Sequence, residues 1–164
     1  MTVKPNKKCC RGSKKRNHSN LVLFGVNCNG IRKKLDSLGT ILVDENPSVI
    51  FLQETHFTNV GQIKTTNSEK YIWFELIRQE ARLGGGGLAM GCLSDLKPIK
   101  TREGDDETEC LTIEITVGEC KMMVVNGYGP QLSDKIERKI KFWEYLEEEV
   151  LRADQLEMPI VIQH

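Results

Sequence analysis

Apolar residues recur with two different periods along this chain. LVLFGVN at positions 21–27 is a short β-prone run that ends in the turn-like Cys28-Asn29-Gly30. Beyond it Ile31, Leu35, Leu38 and Leu42 recur at helical spacing. Asn46-Pro47 stops that helix, because the residue before a proline is pushed out of the helical region. SVIFLQ at 48–53 is then nearly continuous in apolar character, as a strand covered on both faces should be. Strand, helix, strand in this order predicts a crossover unit opening an α/β layer.

The polar stretch 56–70 reads as a loop. YIWFELI (71–77), LAMGC (88–92), CLTIEITV (110–117) and CKMMVVNGY (120–128) read as four more strands, with Val117-Gly118-Glu119 as a hairpin turn between the last two. GGGG at 84–87 is most simply a connection between strands, since no Gly-Lys-Ser/Thr follows it to mark a phosphate loop. Ser133 is placed to cap a helix running to about Arg152. Ile136, Ile140, Trp143, Leu146 and Val150 form its apolar stripe, which puts Trp143 in the core and Glu147, Glu148 and Glu149 toward water. MPIVIQ (158–163) reads as another buried strand.

Composition changes this picture in one place. With 164 residues, 39% hydrophobic and 28% charged, the chain suits one globular core. Its formal net charge is zero, but residues 1–20 carry seven basic residues (Lys4, Lys7, Lys8, Arg11, Lys14, Lys15, Arg16) and no acidic one. That leaves 16 basic against 23 acidic residues in 21–164, a balance of −7. The expected organisation is a basic, disordered tail over 1–20, suited to a polyanion, and a folded domain over 21–164. The six cysteines show no C-x-x-C pair and no zinc-like spacing with histidine, so they read as structural thiols in a reducing compartment. No apolar run is long enough for a membrane span and the N-terminus is not a signal peptide, so no membrane partner and an intracellular location are expected.

Chemistry enters where strands end. A buried parallel strand delivers the residue past its C-terminal end into the crevice where α/β folds commonly bind ligands. Glu54 stands there after Phe51-Leu52-Gln53, Asn27 and Asn29 occupy the matching place after the first strand, and Tyr128 ends a later one. A carboxylate beside an amide offers hard oxygen ligands, suited to Mg²⁺ and unsuited to zinc.

The order N-C-N-G (27–30), L-Q-E-T (52–55) and G-Y-G-P (127–130) before an amphipathic helix resembles the endonuclease/exonuclease/phosphatase superfamily. Within it, the chain resembles the apurinic-type endonucleases encoded by non-LTR (LINE-like) retrotransposons. The resemblance covers residues 21–163. It implies the N-terminal part of a four-layer α/β sandwich, two β-sheets face to face with helices outside, the second sheet incomplete. It implies a Mg²⁺- or Mn²⁺-dependent hydrolase that cuts the phosphodiester backbone of DNA, with the nucleus as a place to meet that partner. Glu54 inherits the metal-binding role, Asn27 a place beside metal and phosphate, and Tyr128 contact with the scissile phosphate. Asn29 shares the turn with Asn27, and Gln131 stands where the family usually has Asn. Apart from the resemblance, His56, two residues beyond Glu54, is a candidate substrate contact, with a solvated loop histidine as the alternative.

The family's D-x-N and S-D-H motifs do not occur before Gln163-His164. The residue that orients the attacking water and the later histidine are therefore missing from this chain, and it is expected not to hydrolyse DNA by itself. Two other readings stay open: a nucleic-acid-binding relic without cleavage, and a phosphatase of the same superfamily.

Overall fold

The structure is a computed structural model that describes residues 2–3, 20–78 and 86–164. Most of the expected basic tail and the first two glycines of the 84–87 run lie outside the described residues.

Among the described residues nine strands form two sheets. β1 (Thr2–Val3), β2 (Leu21–Asn27), β3 (Val49–Gln53), β4 (Tyr71–Leu76) and β5 (Leu88–Leu93) make the first, in the order β1-β2-β3-β5-β4. β6 (Ile99–Glu103), β7 (Cys110–Val117), β8 (Cys120–Gly127) and β9 (Ile160–Gln163) make the second, in that order. β2 and β3 are parallel, joined through α1 (Leu35–Asp44), and β8 and β9 are parallel, joined through α2 (Ile136–Gln155). The remaining pairings are antiparallel. The crossover read from the sequence is therefore present, and the same βαβ device recurs in the second sheet.

Three apolar clusters stack these elements into four layers. Leu23, Val49, Phe51 and Met90 of the first sheet meet Leu111, Ile113, Ile115 and Val124 of the second. On the outer face of the first sheet, Leu38 and Leu42 of α1 pack on Ile50, Leu52 and Ala89, joined by Phe57 and Ile63 from the loop after β3. Outside the second sheet, Phe142, Tyr145, Leu146 and Ala153 of α2 cover Cys110, Met123 and Val125. All five residues of β3 are buried because alternate side chains enter two different cores. This is why the run reads as continuously apolar. Cover thins toward Gly25, Val26 and Asn27, which are exposed, and toward β9, whose four residues are only partly buried rather than buried as the apolar run predicts, because β9 ends the second sheet beside β8 alone.

Four further features depart from the sequence reading. Thr2-Val3, placed in the disordered tail, forms a short edge strand on β2, in register with Leu21-Val22. β6 carries no apolar strand signature because its sequence, IKTRE, is polar; it is an edge strand with a register shift between Lys100 and Arg102. Ser133 does not cap α2. Lys135 stands at the N-cap without a side-chain bond, and Asp134 anchors the segment by accepting from the Gln131 N–H at 2.6 Å and from Arg138 at 3.0 Å.

The fourth concerns which face of α2 is buried. The helix buries Phe142, Tyr145, Leu146, Glu149 and Ala153, while Ile136, Ile140, Trp143 and Val150 are 44–62% exposed. Trp143 is thus outside the core and Glu149 inside it. Glu149 is buried because Arg102 and Arg152 pair with its two oxygens at 3.1 and 3.2 Å.

The candidate site at the strand ends

Asn27 and Glu54 emerge side by side because β2 and β3 are parallel neighbours, with Asn27 in register with Gln53. Tyr128 arrives from the other sheet, one residue past β8. Two buried amides fix the sheets to each other just beneath. Gln53 Nε2 donates to the Gly127 carbonyl at 2.6 Å, and Asn126 Nδ2 donates to the carbonyls of Leu52 and Ala89 at 3.2 Å each. In the sequence Gln53 and Asn126 are simply strand residues; a polar side chain at the end of an otherwise apolar run is the signal that marks them.

The backbone around these residues turns sharply. Glu54 (φ 50°), His56 (φ 55°) and Asn29 (φ 42°) all adopt the left-handed conformation, which is uncommon for residues with a Cβ and concentrates at functional sites. The turns are held by a ladder of backbone bonds. Cys28, Gly30 and Ile31 donate to the carbonyls of Gln53, Glu54 and Thr55, and Thr55 and His56 donate to those of Gly87 and Gly86. The described end of the glycine run therefore supports the loop that carries Glu54.

Glu54 is the hub. Its Oε1 accepts from Asn27 Nδ2 at 3.0 Å and from the Tyr128 hydroxyl, and its Oε2 lies 3.9 Å from His56 Nε2. The hydrogen bonds from Tyr128 and then Asn27 hold its carboxyl below the usual glutamate range, so it is ionised at neutral pH. Tyr128 responds in the opposite sense: burial and its bond to Glu54 push the phenol up and keep it a proton donor. Gln131 lines the same groove wall as Tyr128. Asn27 turns its nitrogen to Glu54, while its oxygen accepts from the Asn29 N–H at 3.1 Å. All six residues singled out from the sequence thus lie at one rim. Glu54, Asn27, Tyr128 and His56 form the inner group, and Asn29 and Gln131 stand at its margins.

Beside Tyr128 opens a groove of about 470 Å³, with Gln53, Gln131, Phe142, Trp143 and His164 among its walls. No cluster of three or more His, Cys, Asp or Glu side chains that could hold a metal occurs among the described residues. The donor set is one carboxylate plus amide and hydroxyl oxygens. Such a set fits a hard cation that keeps much of its own water, as Mg²⁺ does, and does not fit zinc. No helix among the described residues is long and apolar enough to cross a membrane.

Comparison with known proteins agrees with this layout. The model of the Endonuclease/Exonuclease/phosphatase family matches residues 26–162. No curated protein is significantly similar in sequence. Among solved structures, D. rerio TDP2 complexed with a single-strand DNA product superposes with a TM-score of 0.62 at 15% identity, covering 88% of this chain and 58% of that one. The Xenopus laevis APE2 catalytic domain gives 0.62 at 18% identity, covering 87% and 56%. The endonuclease domain of TRAS1, a telomere-specific non-LTR retrotransposon, gives 0.52 at 18% identity, covering 76% and 52%. At these identities the likeness is one of fold, and the chain spans a little over half the length of each of these three structures.

Proposed function

Because the chain belongs to the endonuclease/exonuclease/phosphatase family, we propose that its strand-end site is the cation- and phosphate-holding half of a DNA phosphodiester hydrolase, of the kind carried by non-LTR retrotransposons. One observation carries this reading: side chains from the ends of two neighbouring parallel strands and from the opposing sheet converge on a single ionised carboxylate. That convergence is costly to build, since Glu54 and His56 both sit in disfavoured backbone conformations. The likeness of fold to the TRAS1 endonuclease domain supports the retrotransposon branch, and the DNA-product complex of the TDP2 neighbour supports DNA as the polyanion.

In this reading Glu54 is the anionic ligand of a Mg²⁺ or Mn²⁺ ion, with the Asn27 amide beside it. When bound, the cation supplies charge neutralisation at the phosphate and a polarised P–O bond. The protein's own part is orientation. The Asn27 nitrogen and the Tyr128 hydroxyl fix the rotation of the Glu54 carboxylate through Oε1, leaving Oε2 toward His56. Tyr128, kept protonated, is the donor suited to a non-bridging phosphate oxygen, with Gln131 beside it and Asn29 at the entrance. The basic residues of the N-terminal segment add affinity for the DNA backbone that is independent of sequence and sensitive to salt.

The test is a Mn²⁺ titration of the chain and of Glu54→Ala by calorimetry. Binding that the variant loses is the expected result. Equal binding by both proteins, or none by either, removes the cation assignment.

A further inference from the structure

We infer that Glu109 is a positioning residue for this site, acting on Glu54 through Gly87 and the Thr55 backbone; the inference rests on the reading of Glu54 as the cation-holding group. Glu109 immediately precedes β7, and its side chain is 1% exposed. A carboxylate is rarely buried so completely without a specific partner. Here Oε2 accepts from the Gly87 N–H at 3.2 Å, and Oε1 lies 3.4 Å from Arg78 Nε and 3.9 Å from an Arg138 nitrogen.

The connections continue in both directions. Gly87 in turn accepts from the Thr55 N–H, and Gly86 from the His56 N–H, both at 3.0 Å. Thr55 is the residue between the two left-handed ones, Glu54 and His56. The backbone carbonyl of Glu109 accepts from the Tyr128 N–H at 2.8 Å. One residue therefore braces both arms of the site, the carboxylate arm through its side chain and the phenol arm through its main chain.

The brace has no slack. Gly87 has φ +83°, and a Cβ there would come within 2.9 Å of Thr55 Oγ1; a Cβ on Gly86 would come within 2.6 Å of Glu109 Oε1. The competing role, plain neutralisation of two arginines, is weaker at Arg138, which has its own acid in Asp134 at 3.0 Å and also donates to the Glu107 carbonyl.

Two variants separate reach from charge. Glu109→Asp keeps the negative charge beside Arg78 and Arg138 but withdraws the carboxylate by one methylene from Gly87. Glu109→Gln keeps the length and an oxygen for the Gly87 N–H but removes the charge. Amide hydrogen exchange is followed by NMR, with Thr55 and His56 read against Ile113 and Val124 in the β7–β8 ladder, alongside a Mn²⁺ titration. We expect E109D to speed exchange at Thr55 and His56 by about tenfold relative to the ladder and to weaken Mn²⁺ binding by about tenfold or more, with E109Q close to wild type.

The reverse ranking overturns the inference, as does an E109D protein in which both sets of amides accelerate together or neither does. Should E109D fail to fold, Gly87→Ala decides in the same way, since its Cβ presses on Thr55 from the other end of the brace. If the wild-type protein shows no Glu54-dependent Mn²⁺ binding, the cation assignment falls, while the exchange pattern still decides the role of Glu109.

Discussion

The Tyr128 hydroxyl, at the end of a strand in one sheet, donates to Oε1 of Glu54, at the end of a strand in the other. This bond is the largest cause of the depressed Glu54 pKa. Tyr128→Phe should therefore raise the Glu54 pKa toward the ordinary glutamate value of about 4.3, read from the side-chain carboxyl carbon in an NMR titration. The folded state favours the ionised form, so the stabilisation is present above the unfolded-state pKa and lost as pH falls through the lowered folded-state value. The stability gap between wild type and Y128F should be about 1 kcal/mol or less at pH 7, given partial solvent screening. It should close as the pH drops from about 5 into the acid range.

Adjacent aromatic residues on α2 should behave very differently. Phe142 is 1% exposed and Trp143 is 55% exposed. Phe142→Ala should cost about 3–5 kcal/mol in urea unfolding, as for other buried aromatics. Trp143→Ala should cost about 1 kcal/mol or less, because the side chain is more than half exposed and its ring meets Phe142 and His164 edge-on.

Glu149→Ala should loosen α2 from its sheet. The carboxylate is fully buried between Arg102 and Arg152, and Arg102 also stacks 4.2 Å from the centre of the Tyr145 ring. Breaking a buried ion pair from one side costs about 3–5 kcal/mol, and the lower end applies because both arginines are about a third exposed and can rehydrate. Denaturant unfolding gives the cost. Far-UV dichroism should show the helix content retained in the folded variant.

Thiol chemistry gives a fourth expectation. Burial pushes Cys28 up to about 11 and Cys92 and Cys110 up to about 12. At pH 8 the thiolate of Cys28 is then about one part in a thousand, and the others are rarer still. Iodoacetamide should leave all three unmodified in the native protein, label the partly exposed Cys120 first among the described cysteines, and reach the rest only in denaturant. Mass spectrometry of peptides reads the order.

Much of the architecture was legible because strands buried on both faces write unbroken apolar runs. Val49–Gln53 and Cys110–Val117 were read within a residue of their observed bounds. The convergence of Asn27, Glu54 and Tyr128 was legible only through ordered motifs, since periodicity places residues at strand ends but does not say which ends meet. α2 shows the limit. It carries two overlapping apolar stripes that share Leu146, and the buried one contains a glutamate whose partner Arg102 is 47 residues distant. Hydrophobicity alone chooses the wrong stripe, because it scores Glu149 as solvent-facing and cannot foresee a distant guanidinium. Glu109 was hidden for the same reason: its value lies in the Gly87 N–H, a backbone group that leaves no mark in the sequence.

All strands of the first sheet precede Ser94 and all strands of the second follow Leu96, so the sheets divide the polypeptide at a single short junction. Asn27 and Glu54 belong to one portion, and Tyr128, Asn126 and Glu109 to the other. A break at that junction would leave two complementary pieces, neither owning a complete set of contacts around Glu54. The ionisation of that one acid would then serve as a native gauge of whether the pieces had rejoined in the correct register.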